Sequence, residues 1–249
     1  MHVSSYGNPD APLVVFGHGW NRTGSDFFGV AEVLGQQAHC LMLDLPGFGE
    51  TPRPADTWST QHYASHVADF LSKLDRPYVW VGHSFGGRIG LRLGAMEAPG
   101  LRSMLLVGPA GLARQRQGQE LWRFWLRKYG YRVLKALADS KGREALRQRF
   151  SSSDYLARPD MQDIFVATVQ EDQRDSAAKI KVPVSILVGA LDTEAPPDIA
   201  RRLHGLIEGS ELIELPAVGH LDILTRSRHL LAKVVLEHLA QAQAEEGKP

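Results

Sequence analysis

The chain has 249 residues, with 28 Lys and Arg balanced by 28 Asp and Glu and an apolar fraction of 43%. That length suits one large domain, or one with an insertion, and leaves ample room for a buried core. The balanced charge argues against a dedicated nucleic-acid binder, whose footprint would be a strong basic excess. The single cysteine, Cys40, excludes an internal disulfide framework and any zinc site built on several thiolates.

From Met1 to Pro9 there is no basic region followed by an apolar run, so no signal peptide is expected. No apolar stretch approaches the ~18 residues of a membrane span, and a cytoplasmic protein is expected. Short apolar runs follow in order: Leu13–Phe16, Cys40–Leu43, Tyr78–Val81, Met104–Val107, Val184–Val188 and the weaker Glu211–Leu215. Their length, their β-branched residues and the Gly, Asp or Pro after each predict strands buried on both faces. Amphipathic patterns at 60–74, 86–98, 197–208 and 223–243 predict helices between most of them. Strand alternating with helix predicts an α/β fold, a mostly parallel twisted sheet flanked by helices. Such sheets place their chemistry at the carboxyl ends of the strands. The alternation fails once, between Leu112 and Ser176, where about 65 residues look wholly helical. This stretch predicts a helical cap, residues 112–176, inserted between strands of a catalytic domain made of 1–111 and 177–249.

The sharpest chemical signal is Gly82-His83-Ser84-Phe85-Gly86-Gly87, directly after one predicted strand and before a predicted helix. Gly-x-Ser-x-Gly in that context predicts a nucleophile elbow, a turn so tight that both flanking positions must be glycine. The amides opening the next helix favour negative charge at the same spot. A serine needs a base, and the base needs an orienting carboxylate. Asp192 follows the strand 184–188 and His220 follows the strand 211–215, both on the strand edge that carries Ser84. Glu194 and Asp198 are rival carboxylates placed further along, and Asp222 is too close to His220 in sequence to turn back onto its ring easily. An oxyanion needs two preorganised N–H donors; the amide of Phe85 and that of Trp20, after His18-Gly19, are the candidates. His18 and Asp44 are expected to brace loops.

Taken together, Phe16-Gly17-His18-Gly19-Trp20, Asp44-Leu45-Pro46-Gly47-Phe48-Gly49, Gly-His-Ser-Phe-Gly-Gly, Gly189-Ala190-Leu191-Asp192 with Pro196, and Gly219-His220 resemble the α/β-hydrolase family in order and across nearly the whole chain. The resemblance implies the α/β-hydrolase fold with Ser84 as nucleophile, His220 as base, Asp192 as orienting acid, and Trp20 and Phe85 as oxyanion donors. It implies a serine hydrolase that cleaves a small-molecule carboxylic ester through an acyl-enzyme and needs no cofactor. The short N-terminal lead and the first two motifs are also similar to the pimeloyl-carrier-protein methyl ester esterases. The same triad serves carbon–carbon bond hydrolases of ring-cleavage products, and some relatives are ligand receptors with slow or no turnover. Epoxide and haloalkane hydrolases carry aspartate at the elbow, so Ser84 counts against both. The few residues before Leu13 leave little room for the family's first hairpin.

Between Arg114 and Arg149 eleven Lys and Arg face three acids, a local excess of eight positive charges. An electropositive lid would attract an anionic substrate or an acidic acyl carrier protein; a basic amphipathic helix would instead rest on a membrane surface. The plain alternative packs Trp122, Phe124, Trp125, Tyr129 and Tyr131 on the catalytic domain and leaves the arginines in water. His62 and His66 share a helix face without a zinc motif, and no metal site is expected. Cys40 reads as a small buried hydrophobe. No glycine-rich phosphate loop occurs, so no nucleotide cofactor is implied.

Overall fold

The computed structural model describes residues 1–113 and 153–246, together with isolated positions 118, 122, 126, 129, 134, 138, 139 and 142. Among them seven strands form one sheet: β1 (Val3–Gly7), β2 (Leu13–Gly17), β3 (His39–Leu43), β4 (Tyr78–His83), β5 (Leu101–Val107), β6 (Val184–Gly189) and β7 (Glu211–Leu215). Their order is β1-β3-β2-β4-β5-β6-β7. Only β1 runs antiparallel, pairing Val3 with Leu43 through Gly7 with His39; every other pair is parallel. All six predicted strands are present. β1 was not predicted, because Val-Ser-Ser-Tyr-Gly is neither an apolar run nor a clean alternation, and it lies at the half-exposed edge. A single edge strand thus stands where the residues before Leu13 left little room for a hairpin.

The inner strands are largely apolar because both faces are covered. Val15, Leu41, Trp80, Leu106 and Ile186 point into one core, against α2 (Thr60–Ser72), α3 (Phe85–Ala95) and α7 (Pro197–Leu206). Their neighbours Val14, Cys40, Val79, Leu105 and Leu187 point into the other, against α1 (Phe28–Leu34) and α9 (Arg228–Glu246). This is the period-2 alternation of a strand with both faces buried. The predicted helix 223–243 is two helices, α8 (Asp222–Arg226) and α9, because the backbone at Ser227 leaves helical geometry (φ −109°, ψ 16°). α2 opens with a reciprocal cap: the amide of His62 donates to Ser59 Oγ and the amide of Ser59 donates to His62 Nδ1 at 3.0 Å. His62 is therefore a capping residue.

Between β5 and β6 lies a helical insertion, whose described helices are α4 (Ser153–Ala157), α5 (Gln162–Val169) and α6 (Arg174–Ala177). Its return limb is moored to the sheet side. Glu171 accepts from Arg92 Nη2 at 2.8 Å and from the amide of Thr60 at 2.9 Å, and Arg53 bridges to Asp163 at 2.7 Å. The basic residues Arg123, Arg127 and Arg132 lie outside the described residues, as do Phe124, Trp125 and Tyr131. Trp122 and Tyr129 are described, and both are helical and exposed. Among the described residues no helix is long and apolar enough to cross a membrane.

Candidate active site

β4 is the central strand and hands the chain to α3 across one residue, Ser84, whose φ of 50° and ψ of −102° lie where an L side chain is strained. Both neighbours hold it there. The amide of Ser84 donates to the Val107 carbonyl at 3.0 Å, and that of Gly86 to the His18 carbonyl at 2.9 Å. A Cβ on Gly86 would overlap the Gly17 carbonyl, and one on Gly82 would meet the Gly86 carbonyl and the Trp80 indole. The two glycines are thus dictated by backbone crowding. Phe85 begins α3, so its amide belongs to the first turn, which has no intrahelical acceptor.

His220 follows β7 and is 8% exposed; Asp192 follows β6 and is 4% exposed. His220 Nδ1 donates to Asp192 Oδ2 at 2.6 Å. The other carboxylate oxygen accepts from the amides of Glu194 (2.9 Å) and Ala195 (2.8 Å), so the acid cannot rotate away. Nε2 of the same imidazole is left facing outward, 3.6 Å from Glu194 Oε2. Ser84 and His220 line one cavity of about 170 Å³ with Gly19, Trp20 and Glu194. An adjoining cavity of about 210 Å³, sharing Trp20, Ser84 and Glu194, continues to Phe85, Arg88 and Phe165. The Trp20 ring meets those of Phe48, Phe85 and Phe165 edge-on at 4.9 to 5.3 Å, walling the site with aromatic surface.

Sequence reasoning left His83 without a role. Its Nε2 donates to the backbone carbonyl of His220 at 3.0 Å, and the two rings lie 4.7 Å apart. Burial, with the neighbouring His220, pushes the His83 imidazole down to about 3. It is neutral and ties the elbow to the loop carrying His220. Asp154, from the insertion, also lines both cavities; burial pushes its carboxyl above the ordinary value. His83 lies inside the Gly-His-Ser-Phe-Gly-Gly motif, but at its variable position, and its partner is 137 residues away; Asp154 lies in no motif.

His18 and Asp44 brace loops. His18 Nδ1 donates to the Gly19 carbonyl at 2.7 Å, and Nε2 accepts from the Leu45 amide at 3.0 Å; burial pushes the ring down to about 4. Asp44 accepts from the amides of Gly24 and Glu50 at 2.8 and 3.0 Å. Burial alone would raise its carboxyl, but these donors outweigh it and hold it below the ordinary value. Cys40 is buried in β3, and burial pushes its thiol up to about 12.

A buried serine–histidine contact lies at the opposite end of β6, where His238 Nε2 is 3.0 Å from Ser185 Oγ beside a cavity of about 660 Å³. It lacks the other parts. Ser185 sits in regular strand, and His238 Nδ1 is buried without a partner among the described residues, so none of their carboxylates orients that ring. The larger cavity is therefore not the better candidate.

The alpha/beta hydrolase family matches residues 14–234. The chain is similar to an uncharacterised hydrolase, YugF, of Bacillus subtilis (27% identical; 96% of this chain, 93% of that one). It is also similar to a pimeloyl-[acyl-carrier protein] methyl ester esterase of Methylococcus capsulatus (27% identical; 93% and 96% covered). Among solved structures, the enol-lactonase from Burkholderia xenovorans superposes with a TM-score of 0.69 (24% identical; 96% of each chain). With the sheet order and the inserted helices described above, the chain belongs to the alpha/beta hydrolase family and is a hydrolytic enzyme of that class.

Proposed function

We propose that the protein is a serine hydrolase that cleaves a small-molecule carboxylic ester through an acyl-enzyme. The observation that carries this reading is the buried Asp192–His220 bond opening onto the cavity that the strained Ser84 lines. His220 Nε2 takes the Ser84 proton as Oγ attacks the acyl carbon, while the amides of Phe85 and Trp20 hold the oxyanion. Asp192 keeps the proton on Nδ1 and stabilises the imidazolium. The tetrahedral adduct collapses, His220 returns its proton to the departing alcohol, and water activated by the same nitrogen releases the acid. Residues 1–111 and 177–249 form the catalytic domain in this reading and 112–176 the cap, with Asp154, Phe165 and Thr168 bringing it over the cavity.

The test is hydrolysis of p-nitrophenyl esters from acetate to laurate by wild type and Ser84→Ala. Turnover abolished in the variant is the expected result, and the chain-length optimum sizes the cavity. Turnover that survives in Ser84→Ala, or its absence on every ester, would overturn the reading. The relatives named for an acyl-carrier ester support an acidic acyl carrier protein as the partner of the basic segment. Reversing Arg123, Arg127 and Arg132 to Glu should then weaken turnover of carrier-bound esters alone. Equal loss on a neutral ester would sink that partner.

A further inference from the structure

Arg88 stands four residues after Ser84 on α3, about 6 Å along the helix axis. It is 8% exposed, a rare burial for a guanidinium without a carboxylate. Its Nη1 donates to the Thr168 carbonyl at 3.0 Å and reaches the Glu171 carbonyl at 3.4 Å, at the C-terminal end of α5, where unpaired carbonyls favour a cation. No carboxylate of the described residues bridges to it; the nearby Glu171 is taken by Arg92 and Thr60. Nε and Nη2, the side-on edge that suits a carboxylate's two oxygens, have no partner among the described residues, and neither atom is sealed from solvent. Arg88 lines the cavity that also holds Ser84 and Phe85.

We infer that the Arg88 guanidinium is an anion subsite, and that the preferred ester carries a free carboxylate a few carbons from the scissile carbonyl. The half-ester of a short dicarboxylic acid is the substrate class. The inference rests on Ser84 being the reacting centre. Nη1 is spent on α5 and fixes the plane of the fork, so the Nε–Nη2 edge is pre-organised and little entropy is lost on pairing. Burial pushes the guanidinium down to about 10, which leaves it charged at neutral pH. Two acids share the cavity. Glu194 is largely exposed and screened, while Asp154 is pushed toward its neutral form by burial. Neither forms an ion pair with Arg88 among the described residues.

The experiment compares monomethyl succinate and monomethyl glutarate with their uncharged carboxamide counterparts, reading methanol release by wild type, Arg88→Met and Arg88→Lys. A charge-assisted pair predicts about a 10- to 100-fold higher kcat/KM for the acids in wild type. The ratio should collapse toward one in Arg88→Met and survive in part in Arg88→Lys, which keeps the charge but loses the fork. An arginine that only braces α5 would lower Tm and both rates together on substitution, with no preference in wild type. Equal rates in wild type, or a preference that survives Arg88→Met, overturn the inference while leaving the esterase reading intact. Calorimetric binding to Ser84→Ala decides the matter without turnover. Acid-selective binding lost in the Ser84→Ala, Arg88→Met double variant supports the subsite; equal or absent binding overturns it.

Discussion

At the scale of single residues, Ser84 stores strain that only its surroundings impose, and Asp192 is clamped by two amides so that its remaining oxygen meets His220. Asp192→Asn would keep the shape but set an N–H against the Nδ1 proton, forcing the wrong tautomer. Its kcat on p-nitrophenyl butyrate should fall on the order of 10⁴-fold, as expected when an orienting carboxylate is amidated, with the fold retained by circular dichroism. A fall of less than tenfold would show that Asp192 does not orient the base. Gly86→Ala tests the other kind of constraint. The added methyl would overlap the Gly17 carbonyl, so backbone must move, and we expect a loss of several kcal/mol, read as insoluble expression or a Tm lower by more than about 10 °C. The roles proposed for Ser84, Asp192 and His220 were legible because each is announced by punctuation: glycines flank Ser84, and the proposed acid and base each follow a strand. His83 and Arg88 were not legible, because a histidine and an arginine acquire meaning only from carbonyls 137 and 80 residues away.

At the scale of elements, the elbow between β4 and α3 is joined to the loop after β7 by the His83–His220 hydrogen bond. Removing one net hydrogen bond, about 1 kcal/mol, predicts a five- to tenfold lower kcat in His83→Leu with KM nearly unchanged. His83→Gln, which keeps an N–H donor, should recover part of that loss. Changes in KM alone would place His83 in packing and not in the alignment of His220. The strands themselves were readable since burial on both faces leaves an unbroken apolar run, and the helices since one face repeats every 3.6 residues. β1 escaped because an edge strand needs hydrogen bonds from β3 more than apolar side chains, and Ser4 and Ser5 are exposed. The break at Ser227 escaped as well, since a kink between two helices of matching periodicity leaves no trace in the pattern.

At the scale of the whole molecule, two buried neutral histidines make global stability fall in acid. In the unfolded chain both would titrate near ~6.5. In the fold, burial pushes His18 down to about 4 and His83 to about 3. Below pH 6.5 the unfolded state therefore binds more protons, and stability declines as pH falls toward those values. By pH 5 each histidine should have removed about 2 kcal/mol, so Tm should drop between pH 7 and pH 5. His83→Gln should make that drop shallower by roughly half. A Tm that is level across this range would mean that neither ring is buried in its neutral form.

The sequence by itself determined the strand and helix framework of the sheet and the family, and it supplied Ser84, Asp192 and His220 as the proposed site, because each depends on local periodicity or on a turn that tolerates few residues. Tertiary structure decided what periodicity does not encode. It chose Asp192 over Glu194 and Asp198 by placing one carboxylate on Nδ1 of His220 and leaving the exposed Glu194 at the mouth. It also turned His83 into a strut, and set a buried arginine, Arg88, in the lining of the cavity that holds Ser84. Such roles arise from burial and from partners brought together across the fold, and neither is a property of neighbours in the chain.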